Sequence, residues 1–255
     1  MTTAVQLHRV TPARVLRSEW HKLWTLRSTW VNLVATAALT LAMGAGISAA
    51  YDGTGEGHLD TVVFVLLGTQ FATVNLAVLG ILATAGEYST GQIRATMTAV
   101  PRRLPVLWSK AAVLAAVAFP LCLWTNLLTF PAAQAFLDGT DQSAALGDPG
   151  VLRGLVGNAA GLTLLAVTAL GIGAVTRSVP LAIGAYIGLV MIVPELLKML
   201  PHDVVHDAVD HFPAQALQSL TATDSASPGV SLLALTLWAA AALAAAAVTL
   251  RRRDV

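Results

Sequence analysis

The sequence predicts an all-α polytopic membrane protein with six transmembrane helices and both termini in the cytoplasm. Composition indicates the class, because 56% of the 255 residues are hydrophobic and only 11% are charged, whereas a soluble domain carries about 25% charged residues. Mean hydropathy is +0.70. Crossing a bilayer takes about 20 apolar helical residues, and six runs approach or exceed that length. The runs are continuous and do not alternate, which favours helices over the strands of a membrane barrel.

The loops between the predicted spans alternate in charge, and this alternation sets the orientation. The spans lie near Trp30–Ala50, Val62–Ala85, Ala111–Leu137, Val151–Val175, Val179–Leu197 and Val230–Leu250. Thirteen of the 15 Lys and Arg residues fall before span 1, after span 6, or in the loops that follow spans 2 and 4. Eleven of the 14 acidic residues fall on the opposite side, ten in the remaining loops and Glu195 near the outer end of span 5. Because cytoplasmic loops attract Lys and Arg, we place the basic loops and both termini inside.

The chain divides into an N-terminal cytoplasmic segment, residues 1–29, and a single transmembrane domain, residues 30–255. Five basic residues precede the first apolar run, which argues against a secretory signal peptide. The longest outer loop, residues 201–228, is too short for a hydrophobic core of its own. The single cysteine, Cys122, excludes an intrachain disulfide.

Residues Pro12–Leu26 show the pattern of an amphipathic helix. Trp20, Leu23 and Trp24 fall on the apolar half, and basic residues fall on the other half. This pattern is typical of a helix that lies in the plane of the membrane interface. Glu19 is the exception, since it lies among the apolar side chains and needs a polar neighbour from elsewhere in the fold. The segment is either a simple anchor or an elbow helix that also contacts a cytoplasmic partner.

The one long cytoplasmic loop, Gly86–Pro105, combines charged residues with a short apolar face. Ile93, Met97 and Val100 recur at helical spacing, and Pro101 ends the pattern. Either a partner protein or the membrane surface can cover this face, and the sequence leaves both interpretations open.

Stripes of small residues in two spans predict close helix packing. Such spacing lets helix backbones approach each other, within one chain or between two copies. We favour packing within the chain. The residues are Gly150, Gly154, Gly157 and Gly161 at the start of span 4, and Gly184 and Gly188 in span 5.

Several function classes lack the residues that they require. No lysine follows a glycine, so the chain has no phosphate loop for ATP. No HExxH motif or cysteine pair indicates a catalytic or structural metal. His202 and His206 have a spacing that can share a metal, but an amphipathic segment lying on the outer membrane surface explains them better. We therefore expect no enzyme activity and no metal. Ionisable residues avoid the middle of the spans, which disfavours an ion-coupled carrier.

Five segments follow one another in a distinctive order along the chain. They are Ser18-Glu19-Trp20-His21-Lys22-Leu23, Arg27-Ser28-Thr29-Trp30, Gly86-Glu87-Tyr88-Ser89-Thr90-Gly91-Gln92-Ile93-Arg94-Ala95-Thr96, Pro101-Arg102-Arg103 and Arg251-Arg252-Arg253-Asp254. In this order, around six spans, they resemble the permease subunits of ABC-2-type transporters, especially those of high-GC Gram-positive bacteria.

The resemblance implies a function as well as a fold. A permease of this family has an N-terminal elbow helix and a coupling helix between spans 2 and 3, and two permeases pair with two ATPases. ATP would bind the separate ATPase subunit, so this chain would hold no cofactor. Its partners would be that ATPase, a second permease copy or paralogue, and the lipid of the bacterial plasma membrane, with no nucleic acid. The direction of transport would be export.

The resemblance also carries roles onto particular residues. The elbow would contain Glu19, Trp20 and Lys22. Coupling to the ATPase would fall to Glu87, Tyr88, Thr90, Gly91, Ile93, Arg94 and Arg102. The main alternative is an ATP-independent membrane protein, either a secondary carrier or a scaffold without transport activity, which would function with no ATPase partner.

Overall fold

The computed structural model describes residues 11–53, 60–93, 103–199 and 208–252, and within these ranges the chain is helical and contains no strand. Six helices are long and apolar enough to cross a membrane, which confirms the prediction of an all-helical, multi-pass membrane protein. They are span 1 (Arg27–Ala49), span 2 (Thr61–Ser89), span 3 (Leu104–Leu137), span 4 (Val151–Thr176), span 5 (Val179–Lys198) and span 6 (Pro228–Arg252).

Two of the spans contain a break in their α-helical hydrogen bonding. In span 2 a 3₁₀ turn at Leu66–Gly68 separates a short first helix from the long helix Thr69–Ser89. In span 5 a π-helical turn at Gly188–Ile192 precedes Pro194. Proline lacks the N–H that a regular helix needs, so a wider turn just before it is the expected local adjustment.

The N-terminal helix, Pro12–Thr25, meets span 1 at an aromatic corner. Leu26 is extended between the two helices, and this residue turns the chain. The ring of Trp24 packs against Trp20 at 5.7 Å and against Trp30 at 5.1 Å between centroids. Trp30 also donates a hydrogen bond from Nε1 to the Trp24 carbonyl at 3.2 Å. These contacts hold the angle between the N-terminal helix and span 1.

Span 4 is the central helix of the bundle. In its most apolar 18-residue window 72% of the residues are buried, against 22% in spans 5 and 6. Glycines set the distances to its neighbours. A Cβ added to Gly80 of span 2 would collide with the Ala166 carbonyl oxygen, and one added to Gly171 would lie 2.7 Å from the backbone of Ala242 in span 6. The close packing of spans 2, 4 and 6 therefore requires glycine at both positions.

The glycine stripe of span 4 packs within the chain, but against a segment that we predicted to be part of an outer loop. The connecting helix, Pro213–Thr221, lies across this stripe with Ala216, Leu217 and Leu220 buried. A Cβ placed at Gly154 would collide with the Thr221 carbonyl oxygen. Similar close approaches to the connecting helix occur at Gly157 and Gly161.

The glycine pair of span 5, Gly184 and Gly188, does not pack against another part of the chain as we expected. A Cβ added to Gly184 or Gly188 meets no atom within 4 Å, so the interpretation of packing within the chain is wrong for these two residues. Span 5 lies at the edge of the bundle and buries its opposite face through Ala182, Tyr186 and Val190. The pair therefore lies on open surface.

Neutral hydrogen bonds join the spans near the connecting helix. Asn126 of span 3 donates from Nδ2 to Asn158 Oδ1 of span 4 at 3.1 Å and to the Leu155 carbonyl at 3.0 Å. Asn158 donates in turn to Thr221 Oγ1 at 3.0 Å. Buried amides are costly without partners, so these bonds fix the register of spans 3 and 4 and the connecting helix.

A second set of contacts ties the chain after the connecting helix to the ends of spans 2 and 4. Asp60 caps span 2 by accepting hydrogen bonds from the backbone of Val62 and Val63. The same carboxylate accepts from the backbone N–H of Thr223 at 2.7 Å. Arg153 donates to the Thr223 carbonyl at 2.8 Å. The second half of the predicted outer loop 201–228 thus packs on the bundle, while His202 and His206 lie outside the described residues.

Spans 2 and 3 extend further toward each other than hydropathy predicts. Span 2 continues past Ala85 to Ser89, and the helix of span 3 begins at Arg103, about two turns before the predicted start at Ala111. Both ends of the predicted coupling loop are therefore helical. The spans predicted from hydropathy stop at the charged residues. In the fold those charges neutralise one another, so the helices continue past them.

Replacing Gly154 with Ala should destabilise the fold, whereas the same change at Gly184 should not. At Gly154 the new Cβ would collide with a backbone oxygen, and overpacking of this kind costs about 1–3 kcal/mol. At Gly184 the space is open, and Ala forms helix better than Gly by about 1 kcal/mol. Thermal unfolding in detergent measures both. An unchanged midpoint for Gly154→Ala, or a lowered one for Gly184→Ala in the monomer, would contradict this.

Candidate functional site

Four ionisable side chains meet where the N-terminal helix crosses the ends of spans 2 and 3. Lys110 of span 3 lies 2.7 Å from Glu19 Oε2 and 2.7 Å from Glu87 Oε1 of span 2. Lys22 lies 2.8 Å from Glu19 Oε1 and 3.0 Å from Glu87 Oε1. We call these four residues the ion cluster. The side chains of Glu19, Glu87 and Lys110 are only 6–7% exposed, so most of the cluster is buried.

Local sequence explains how each member reaches the cluster. Glu19 lies on the apolar half of the N-terminal helix and therefore faces inward, and Lys22 stands one turn further along at the i+3 position. Glu87 lies in the last turn of span 2. Lys110 lies about two turns into the antiparallel span 3, which brings it level with Glu87. The polar neighbour that Glu19 requires is thus Lys110.

Charge balance makes the burial of this cluster possible. Two carboxylates face two ammonium groups, so the four side chains of the ion cluster together carry no net charge in a region where an unpaired charge would cost several kcal/mol. Burial raises the pKa of Glu19, but the charges and hydrogen bonds of Lys110 and Lys22 outweigh it, and the pKa falls below its ordinary value of 4.5. Burial lowers the pKa of Lys22, but the hydrogen bonds and charges of Glu19 and Glu87 outweigh the effect of burial. The pKa of Lys22 therefore lies above its ordinary value of 10.5.

One oxygen of the cluster has spare bonding capacity. Both lysines bond Oε1 of Glu87, whereas Oε2 accepts no hydrogen bond from any residue in the described ranges. An ionised carboxylate can accept at both oxygens. A lysine of the cluster can therefore move from one oxygen of Glu87 to the other without losing its charge partner.

Three further residues of the predicted coupling segment form the end of span 2. The guanidinium of Arg177, which follows span 4, lies 5.1 Å from the centre of the Tyr88 ring, a cation–π distance. Thr90 donates a hydrogen bond to the Gly86 carbonyl at 3.0 Å. Gly91 has φ +72°, a left-handed conformation that glycine adopts without strain. Thr90 and Gly91 therefore terminate the helix.

Ile93 does not match the expectation of an apolar face that awaits a partner. It is 7% exposed and lines a small internal space with Val106, Leu107, Ala174 and Leu250. Burial within the chain satisfies this side chain, so in this conformation it offers no surface to another protein. Arg94 and Arg102 lie outside the described residues.

Sequence reasoning missed the two basic residues that organise this site. Lys110 counted only as one of the loop cations, although a single lysine inside a long apolar run is itself a sign of a buried partner. Arg177 counted only toward the orientation of the chain. Its contact with Tyr88 joins the ends of spans 2 and 4 and has no signal in the sequence.

No family model matches this chain, and no curated protein sequence matches it either.

Replacing Lys110 with Met should destabilise the protein far more than replacing Lys198 with Met. The first change leaves Glu19 and Glu87 with a single lysine, and breaking a buried ion pair costs about 3–5 kcal/mol. Lys198 pairs with Glu195 at 2.8 Å, but the two side chains are 41% and 64% exposed, and exposed pairs contribute about 0–1 kcal/mol. Unfolding in detergent at neutral pH measures the difference. Equal losses would show that the cluster does not stabilise the fold.

The contribution of Glu19 should depend on pH. Because its pKa in the folded protein lies below its ordinary value of 4.5, its stabilisation is complete above that value and is lost as pH falls through the folded pKa. The stability difference between the wild type and Glu19→Gln should therefore be large at pH 7 and shrink as pH falls below 4.5. Asp138→Asn, which changes an exposed acid, serves as the control. A difference for Glu19→Gln that does not change with pH would contradict the ionised pairing.

Proposed function

We propose that this chain is the transmembrane permease subunit of an ABC transporter of the bacterial plasma membrane, an exporter driven by a separately encoded ATPase. The observation that supports this most directly is the ion cluster. Glu87 lies at the start of the segment Gly86–Pro105 that the ABC-2 resemblance assigns to coupling, Lys110 lies just beyond its end, and Glu19 belongs to the helix that the resemblance assigns to the elbow.

The cluster provides a path for force between a partner and the bundle. A push on the segment between Glu87 and Lys110 acts on spans 2 and 3 together, and the salt bridges to Glu19 carry it to the N-terminal helix. The contact between Arg177 and Tyr88 connects the end of span 4 to the same path. In the proposed mechanism, ATP closes the partner ATPases, their motion presses on this segment, and the spans rock between inward-facing and outward-facing states. The second acceptor oxygen of Glu87 allows the lysines to stay paired throughout.

The N-terminal helix has the features of an elbow at the inner membrane surface. Its buried face consists of Val15, Glu19 and Leu23, and Trp20 is 40% exposed beside the aromatic corner. Tryptophan favours the headgroup region of a bilayer. The exposed Trp20, together with the basic residues at the end of the bundle that holds the ion cluster, supports an orientation with both termini in the cytoplasm.

A secondary carrier is the alternative, and the described residues favour it less. A proton- or ion-coupled carrier usually places ionisable side chains near the middle of the membrane. The buried polar pair in the interior of spans 3 and 4 consists of the neutral Asn126 and Asn158. Glu87 and Lys110 lie near the ends of their helices and already neutralise each other.

The proposal is tested by purifying the tagged chain from its own membranes in mild detergent. We expect a stoichiometric partner that contains a phosphate loop and hydrolyses ATP, since this chain has no such loop. The absence of an ATPase, repeated after gentle cross-linking, would overturn the permease proposal and favour a carrier or scaffold.

Coupling can then be measured without knowing the substrate. The native Cys122 is 2% exposed and is replaced by Ser, and a cysteine is placed by Asp224→Cys at the exposed far end of the bundle. In the reconstituted complex we expect ATP to change the labelling rate of this cysteine. Glu87→Gln should abolish the change while ATP hydrolysis continues, and Glu195→Gln, in the exposed pair, should leave it intact. ATP-dependent labelling that survives Glu87→Gln would refute the coupling role.

A further inference from the structure

A cavity of about 290 Å³ lies beside the ion cluster, between the N-terminal helix and spans 1, 2 and 3. Leucines contribute to its apolar walls, among them Leu23, Leu79 and Leu82. All four residues of the ion cluster also line it. Its volume is close to the lower end of the range for small-molecule sites, and apolar walls with a few convergent polar groups are typical of such sites.

Several other lining residues are polar but uncharged, among them Thr25, Ser28, Ser89 and Thr90, and all four are exposed. The hydroxyls of Thr25, Ser89 and Thr90 donate to backbone carbonyls of their own helices and keep lone pairs that can accept a hydrogen bond. The cavity therefore offers hydrogen-bond acceptors near its exposed side and hydrocarbon inside. This distribution matches an amphiphile with a small polar head and a short apolar body.

The charge balance of the ion cluster decides which kind of head fits. Among the described residues that line the cavity, Glu19 and Glu87 already neutralise Lys22 and Lys110 at 2.7–3.0 Å, so these four side chains have no net charge to compensate a charged ligand. A carboxylate or an ammonium brought into this site would lose hydration without gaining a net counter-charge. A hydroxyl head loses less and can bond to the threonine and serine side chains.

We propose that this cavity binds an uncharged, hydroxyl-bearing amphiphile. Binding itself is independent of the proposed transport function. Its consequence rests on that function, because a ligand wedged between the N-terminal helix and spans 1 to 3 would oppose the motion of the ion cluster and so reduce coupling.

Equilibrium binding to the full chain in nanodiscs tests the proposal. The probe is radiolabelled monodecanoylglycerol, and the comparison ligands are decanoate and decylamine, which carry a negative or positive head on a similar chain. We expect saturable binding of one monodecanoylglycerol per chain beyond partition into empty nanodiscs, with the charged ligands about tenfold weaker or more. Binding of all three with equal affinity, or partition alone, would overturn the proposal.

Matched variants locate the binding. Ala83→Phe fills the cavity from span 2 and should weaken binding at least about tenfold. Ala115→Phe is the control, because Ala115 is equally half-buried against the same core but does not line the cavity. If Ala83→Phe fails to fold, Ser28→Trp at the exposed lining residue Ser28 replaces it. Unchanged binding in a folded cavity variant would refute the assignment.

The effect on coupling is a separate measurement. In the reconstituted complex, monodecanoylglycerol should reduce the ATP-dependent labelling of the cysteine placed at position 224, and Ala83→Phe should remove this inhibition. Because binding is measured without the ATPase, failure of the permease proposal and failure of the cavity proposal give different results. Binding without inhibition would overturn the predicted effect on coupling and leave the site assigned.

Discussion

The ammonium group of Lys110 lies between the buried carboxylates of Glu19 and Glu87, and the arrangement of that end of the bundle depends on this contact. Its two bonds of 2.7 Å join the N-terminal helix, span 2 and span 3 at one point. Buried ions tolerate little displacement because each needs its partner for compensation. The N-terminal helix is therefore held in a defined position against spans 2 and 3, although it is not itself one of the six spans.

Away from the ion cluster, the bundle is held by neutral and backbone hydrogen bonds. Neutral amides and hydroxyls connect Asn126, Asn158 and Thr221, and Asp60 and Arg153 bind the backbone at Thr223. Glycines also let spans 2, 4 and 6 pack at backbone distance. Close-packed interiors transmit displacement with little compression. A bundle built in this way can tilt as a unit when the ion cluster is moved, which is what the permease proposal requires.

The cavity next to the ion cluster shares its residues with the cluster itself. The side chains of Glu19, Lys22, Glu87 and Lys110 converge on one point, and all four also line the cavity together with leucines. In our proposal, the neutrality that stabilises the cluster also makes the cavity selective against charged ligands. The stability of this end of the bundle, the proposed coupling and the proposed ligand choice thus depend on one balance of charges.

The amino-acid sequence by itself determined the class of the protein and the number of its spans, because apolar runs of membrane length have few alternatives to a helix in lipid. It also marked Glu19 as an acid in need of a partner, since a single charge on an apolar helix face is visible from periodicity alone. Only the tertiary structure decided that the partner is Lys110, that Ile93 is buried, and that the span 4 glycines receive the connecting helix while Gly184 and Gly188 remain open. Those outcomes depend on which elements pack together. Glu19 and Lys110, for example, are 91 residues apart in the sequence, and local spacing carries no information about contacts at that separation.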